Sequence, residues 1–262
     1  MDLSREQTTW RAAGVVLLQA LLTRDEVERL RHSFDALRAA GAATSQQLLY
    51  THEAPREAKP SFGALMEQWL NPHTHPAAQA CLDVASRLER HLTALLGDEL
   101  YLFQDALMSK GASHLEFPWH QDEPYWPVST PGGAVVWCAL DDVGPSNGGL
   151  EVAVGSHMGG LGPPIDLHTG EPQAGARESV ANFSEFARRC PELAPGDALV
   201  FHPRTWHRSG LNLTGASRRA WSSSWLPAGA RWCVSKAPRH PLSRHLPDGE
   251  LVSRLLARRA RP

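Results

Sequence analysis

Trp119-His120-Gln121-Asp122 lies where short apolar runs begin to alternate with turn residues, and its reading decides the fold. Read as a strand, its side chains alternate between faces, so His120 and Asp122 point one way and Gln121 the other. Outward from it, Tyr101–Met108 precedes and Ala134–Leu140, Leu150–Val154, Ala198–His202 and Ala220–Leu226 follow, separated by clusters of Gly, Pro, Asn and Asp. Many short strands punctuated in this way predict an antiparallel sandwich or barrel. Residues 156–195 carry few strand signals and predict a long excursion over the site, where a lid would sit.

The chain upstream has a different period. Gly14-Val15-Val16-Leu17-Leu18 is short enough for a strand. Thr23-Arg24-Asp25-Glu26 then forms a capping box, and Val27, Leu30, Phe34 and Leu37 recur at helical spacing, so residues 24–39 are expected to be an amphipathic helix. Residues 40–76 are polar and interrupted by prolines, with a short helix expected near Phe62–Leu70. The mixed polarity of His52, Arg56, Lys59, His73 and His75 fits a solvated loop better than a substrate-facing one. From Ala77 to Leu96 the helical period returns, with Leu82, Ala85, Leu88, Leu92 and Leu95 on one face and Gly97 as the stop. One domain over residues 1–262 is expected: a helical part to about 97, a β core over about 98–227, and a tail from 228.

Composition bounds the function. A chain of 262 residues with 42% apolar residues can bury a core without disulfides or a structural metal, so any metal should serve chemistry. The formal net charge of −2 gives nucleic-acid binding no support. Of 26 basic residues only Lys59, Lys110 and Lys236 are lysines, and the arginines are scattered except for Arg254–Arg261, read as a solvated helical end. Cys81, Cys138, Cys190 and Cys233 are far apart and form no C-x-x-C pair, which points to reduced thiols in a cytoplasm. Neither a signal-peptide pattern nor a membrane-length apolar run is present. A monomer is the expectation.

The chemistry converges on three residues. An imidazole and a carboxylate on one side of a strand, His120 and Asp122, can hold two adjacent positions on a divalent metal. The best third ligand is His207, in the run Gly196–Asn212. Two histidines and one carboxylate on one face leave the opposite face open, which is the facial triad of non-haem iron(II) oxygenases. His-x-Asp alone is a weak signal among 13 histidines, and His114-Leu115-Glu116 has the same shape. Arg218, eleven residues after His207, adds context, because a planar guanidinium suits capture of a carboxylate. Arg219 competes for that role, since only one of two adjacent strand residues can face inward. Trp126, Tyr125 and Trp119 are candidate substrate walls, whereas Trp137 and Trp221 read as core.

Several blocks in order resemble the phytanoyl-CoA dioxygenase family, whose relatives include ectoine hydroxylase. They are Gly14 to Leu30; Pro118-Trp119-His120-Gln121-Asp122 with Tyr125-Trp126; Ala139–Asp142 with Asn147-Gly148-Gly149-Leu150 and Gly155-Ser156-His157; and Gly196 to Asn212 with Arg218. The likeness runs from about residue 11 to 227. It implies a mainly β protein with N-terminal helices around a double-stranded β-helix, a cupin-like jelly roll. It also implies Fe(II) on His120, Asp122 and His207, with 2-oxoglutarate as co-substrate held by Arg218 and Ser209, and O2 as oxidant. Its register disfavours His114/Glu116 and gives His202 a packing role. Lys110 matches a lysine often found in the family, whereas Met108 stands where some relatives place a polar group, leaving Gln104 as the remaining polar contact to the co-substrate. Met108, Tyr125 and Trp126 would then face the substrate. An intact Asp122 argues for oxygenation over halogenation, with desaturation, epoxidation and cyclisation open. The implied function is oxidation, typically hydroxylation, of a C–H bond in a natural-product or amino-acid-like small molecule. Rival readings are a cupin-type metal enzyme that is not an oxygenase, and a catalytically silent binding protein.

Overall fold

The computed structural model describes residues 3–41, 66–129, 132–162, 164–165, 185–236 and 247–252. Two antiparallel sheets face each other. The larger has the order β1-β8-β5-β10-β3-β2, built from β1 (Val15–Leu18), β8 (Ala198–Phe201), β5 (Ala134–Ala139), β10 (Arg218–Pro227), β3 (Leu100–Lys110) and β2 (Glu67–Leu70). The smaller has the order β4-β9-β6-β7, from β4 (Phe117–His120), β9 (His207–Ser209), β6 (Leu150–Ala153) and β7 (Arg188–Arg189). This is the expected jelly roll, with its functional cleft between the sheets.

Helices cover the outer face of the larger sheet. α1 (Ser4–Ala13), which the sequence pattern did not single out, ends at Gly14, whose φ of 66° and contact with His157 leave no room for a Cβ. α2 (Arg24–Ala39) starts with the expected capping box: Glu26 N–H donates to Thr23 Oγ1 at 3.2 Å and Thr23 N–H to Glu26 Oε2 at 2.8 Å. α3 (Gln79–Leu96) packs on α2, but its inner face runs through Cys81, Val84, Ala85, Leu88, Leu92 and Leu95. Leu82 is exposed, contrary to expectation, because the buried stripe is set by Cys81 and Val84 and turns Leu82 to solvent. Val136, Val200, Trp221 and Trp225 supply the sheet side of this layer.

Two further expectations change. The helix near Phe62–Leu70 is replaced, in its described part, by β2, where the pairs Gln68↔Met108 and Leu70↔Ala106 extend the large sheet. Edge pairing overrides local propensity there. The tail also adds to the core: Ala230, Trp232 and Val252 are fully or almost fully buried and pack into the layer between the sheets. The basic run 254–261, the whole 42–65 segment and half of the expected lid, residues 163 and 166–184, lie outside the described residues. No helix among the described residues is long and apolar enough to cross a membrane.

Candidate metal centre and co-substrate cleft

The smaller sheet brings the two histidines together. β4 and β9 pair Phe117 with Ser209 and His120 with His207, three residues on one strand against two on the other. The irregularity is a bulge, which re-aims a side chain where ordinary alternation would not. The imidazole centroids are 4.1 Å apart. Asp122 arrives differently from the strand argument. β4 ends at His120, and Asp122 has helical backbone angles at the start of a 3-10 turn, Glu123–Tyr125. The Asp122 and Glu123 amides both donate to Pro203 O, at 2.9 and 3.1 Å, which anchors the turn beside β9. Asp122 Oδ1 then lies 3.6 Å from His120 Nε2 and 3.7 Å from His207 Nε2. The three ligand atoms lie within 4.8 Å of one another.

The donors are prepared for a metal. His120 Nδ1 is 2.8 Å from Pro118 O and His207 Nδ1 is 2.9 Å from Thr205 O. Each carbonyl accepts a hydrogen bond from Nδ1–H, leaving the Nε2 lone pair facing the third ligand. Burial, reinforced by His120, pushes the pKa of His207 down to about 4, so the ring is neutral at physiological pH. Burial alone would raise Asp122, but the two imidazoles outweigh it and hold the carboxyl below its usual range. Two imidazoles and a carboxylate, with no thiol among them and one face open to a cleft, fit ferrous iron.

The cleft opens to solvent. At one end, Arg218 on β10 pairs across the ladder with Lys110 on β3. Both side chains are buried, at 2% and 0% exposure, and neither makes an ion pair among the described residues. Arg218 Nη2 donates to Gly148 O and, at 3.0 Å, to Ser209 Oγ, and its guanidinium lies over the Trp137 ring at 5.0 Å. Its Nε and Nη1 are buried without a hydrogen-bond partner. Lys110 Nζ donates to Ser209 O at 3.0 Å and lies 3.2 Å from Ser209 Oγ. Gly148 has a φ of 73°, and a Cβ there would meet Gly210 O and the Lys110 side chain. Like charges paired across a ladder repel, so this end is built to receive an anion.

The other candidates separate. Arg219 faces the opposite way and holds Asp141 through Nε at 3.0 Å and Nη2 at 2.9 Å. His114 Nδ1 accepts from Gly111 N–H and Glu116 pairs with Arg208, so neither joins the centre. His202 Nδ1 accepts from the Arg204 amide and its ring packs near Trp10 and His157. Gln104 lines the cleft but pairs with Ser224, six positions along β3 from Lys110, so it stands apart from the guanidinium. Met108, Tyr125 and Trp126 line the cleft, but Trp119 packs outside it between Arg188 and Arg208. Trp137 is in the core as expected, 4% exposed, and also forms the floor of the cleft beneath Arg218. Trp221 is core, with its Nε1 donating to Asp105 Oδ2 at 3.0 Å. Gln121 does point away: it donates to Gly160 O and Arg204 O and accepts from Gly162 N–H. Sequence reasoning missed Gln68 and the Gly148 carbonyl. Gln68 was hidden by the expected helix, whereas the Asn147-Gly148-Gly149 turn was a visible signal for Gly148.

A jelly roll with two imidazoles and a carboxylate around one open metal position defines a mononuclear non-haem iron oxygenase. The profile of the phytanoyl-CoA dioxygenase (PhyH) family matches residues 10–220, and the chain belongs to that family. Its activity class is that of an Fe(II)- and 2-oxoglutarate-dependent dioxygenase. It is 27% identical over 226 residues to an ectoine dioxygenase of Sphingopyxis alaskensis, covering 80% of this chain and 71% of that one. It is 28% identical over 149 residues to the peroxisomal phytanoyl-CoA dioxygenase of Homo sapiens, covering 53% of this chain and 43% of that protein. Among solved structures it is similar to the epimerase SnoN in complex with Fe3+, alpha-ketoglutarate and nogalamycin RO, with a TM-score of 0.73, 23% identity and 95% of both chains covered. At that identity the likeness speaks for the fold.

Proposed function

We propose that the protein oxidises a C–H bond of a small molecule, typically by hydroxylation, with His120, Asp122 and His207 holding the metal and Arg218 and Ser209 anchoring the co-substrate. Bound there, ferrous iron with 2-oxoglutarate and O2 supplies the oxidant, and succinate and CO2 are the co-products. The observation that carries this reading is the buried Arg218 guanidinium, which lines the same cleft as the triad with Nε and Nη1 unpartnered; Lys110 is paired beside it across the ladder, and neither has a carboxylate partner among the described residues. A cupin-type metal enzyme of another class, or a silent binding protein, would have no use for that anion site.

Each side chain has a physical task. The Pro118 and Thr205 carbonyls hold the imidazoles in the ligating tautomer. Arg218 offers Nε and Nη1 to a carboxylate while Ser209 and Gly148 fix Nη2. Trp126, Tyr125, Phe117 and Phe201 line the remainder of the cleft and exclude water from the reacting centre. Tyr125 also ties down residue 165: its hydroxyl donates to Ile165 O at 2.7 Å and accepts from Ile165 N–H at 2.8 Å. Reaction outcome is a matter of how the substrate is held, because the protein positions and the cofactor oxidises.

The test is direct. Purified protein given Fe(II), ascorbate and 2-oxoglutarate should take up one iron and release succinate, and Asp122→Ala should do neither. Wild-type protein that bound no iron and formed no succinate would favour the silent reading.

A further inference from the structure

Beyond the metal and the cationic end, the cleft contains polar groups that the reaction does not use. Gln68 on β2 is 4% exposed, lines the cleft, and has its Nε2 buried with no hydrogen-bond partner. Gln104 on β3 also lines it, with Oε1 buried and unpartnered and Nε2 making one long contact, 3.5 Å, to Ser224 Oγ. A buried amide atom left unmatched carries its full desolvation penalty, so both positions call for a ligand group. The two ask for opposite partners: Gln68 has an N–H to give, and Gln104 has a carbonyl oxygen to receive.

The charges around the same space are already taken. Asp105 has Oδ1 2.5 Å from His73 Nδ1 and accepts at Oδ2 from Trp221 Nε1. Arg208 is held by Glu151 at 2.6 Å and Glu116 at 2.8 Å. Asp122 belongs to the metal, and Arg218 and Lys110 to the dicarboxylate. Among the described residues no charge is left in the cleft to meet a charged substrate, and a desolvated ion without a counter-charge is strongly disfavoured.

We propose that the substrate is uncharged where it enters this cleft. It would be a neutral small molecule presenting a hydroxyl or amide N–H to Gln104 and a carbonyl or hydroxyl oxygen to Gln68, with its apolar skeleton against Met66, Met108 and Trp126. An amino-acid zwitterion is disfavoured, because its carboxylate and ammonium find no described partner. This inference rests on the co-substrate assignment above, since Arg218, the cation of that end that lines the cleft, is neutralised only if 2-oxoglutarate occupies it.

The test uses holo-protein prepared without oxygen, with Fe(II) and saturating 2-oxoglutarate. Calorimetric titration with four probes on one skeleton compares cyclohexanecarboxamide and cyclohexane-1,4-diol with cyclohexanecarboxylate and cyclohexylammonium. The neutral pair should bind at least about tenfold more tightly than either ion. Gln68→Leu and Gln104→Leu should each weaken the carboxamide about three- to tenfold, the loss of one hydrogen bond. Gln68→Glu should move the preference toward cyclohexylammonium. A 2-oxoglutarate-dependent rise in Tm in each variant shows that the fold and the cationic end are intact. An ion that binds as tightly as the carboxamide, or leucine variants that bind it like wild type, would overturn the proposal. Failure of the wild-type protein to bind 2-oxoglutarate at all would instead overturn the co-substrate assignment.

Discussion

Replacing Arg218 with methionine separates the anion site from the metal site. The guanidinium is 2% exposed, and burial pushes its pKa down to about 10, which leaves it charged at neutral pH. Its Nε and Nη1 have no partner, so an incoming carboxylate can gain two charge-assisted hydrogen bonds at about 1.5–3 kcal/mol each. Truncating one side of a buried charge pair costs about 2–5 kcal/mol, which corresponds to a 2-oxoglutarate Kd about 30- to 5,000-fold weaker. Thermal unfolding with and without 2-oxoglutarate is the assay. At a hundred times its Kd the co-substrate should add about 2.7 kcal/mol to the wild type, but only about 0.4 kcal/mol to a variant whose Kd has risen a hundredfold. Without co-substrate, Arg218→Met should unfold no earlier than wild type, because an uncompensated buried cation has been removed. Iron uptake should be unchanged. A variant that keeps the wild-type response to 2-oxoglutarate would refute the assignment of this end of the cleft.

Three further outcomes are expected. His207→Ala should abolish stoichiometric Fe(II) binding, read by metal analysis after gel filtration, while leaving Tm without metal unchanged or slightly raised, since a buried ring crowded by His120 is relieved. Burial and the neighbouring Arg218 push the pKa of Lys110 down to about 7, so the ammonium that helps attract a dicarboxylate is present below that pH and lost above it. The KM for 2-oxoglutarate should therefore rise between about pH 7 and 9, and Lys110→Met should flatten that profile. Burial alone would raise the Glu26 pKa, but Arg87 at 2.6 Å and the Thr23 amide outweigh it and leave it lowered. A lowered carboxyl stabilises the fold above its unfolded pKa and ceases to do so as pH falls through the folded value. Glu26→Gln should thus cost about 1 kcal/mol in urea unfolding at pH 7, diluted by the part-exposed Arg87, and progressively less as the pH falls through the folded value.

Much of the site was legible in the chain because its chemistry is local in type even where it is distant in space. His120, Asp122 and His207 stand out as ligand types, and Arg218 follows at a spacing that places it on the next strand. Strand alternation required that only one of Arg218 and Arg219 face inward, the resemblance favoured Arg218, and the coordinates place Arg218 in the cleft and Arg219 on Asp141. The route by which Asp122 reaches the centre was not legible. Strand alternation suggested that it shares a face with His120, whereas the bulge in β4 and the turn on Pro203 O produce that convergence.

By itself the sequence determined the residue types that can hold iron, the helical period of 24–39, the capping box and the strand-rich character beyond residue 98. Each of these is written in spacing along the chain. Only the tertiary structure decided that residues 67–70 become an edge strand carrying Gln68 into the cleft, that the segment after 227 returns to the core, and that Lys110 sits opposite Arg218. Those outcomes depend on which strands pair and in what register, and register is set by packing between segments far apart in sequence.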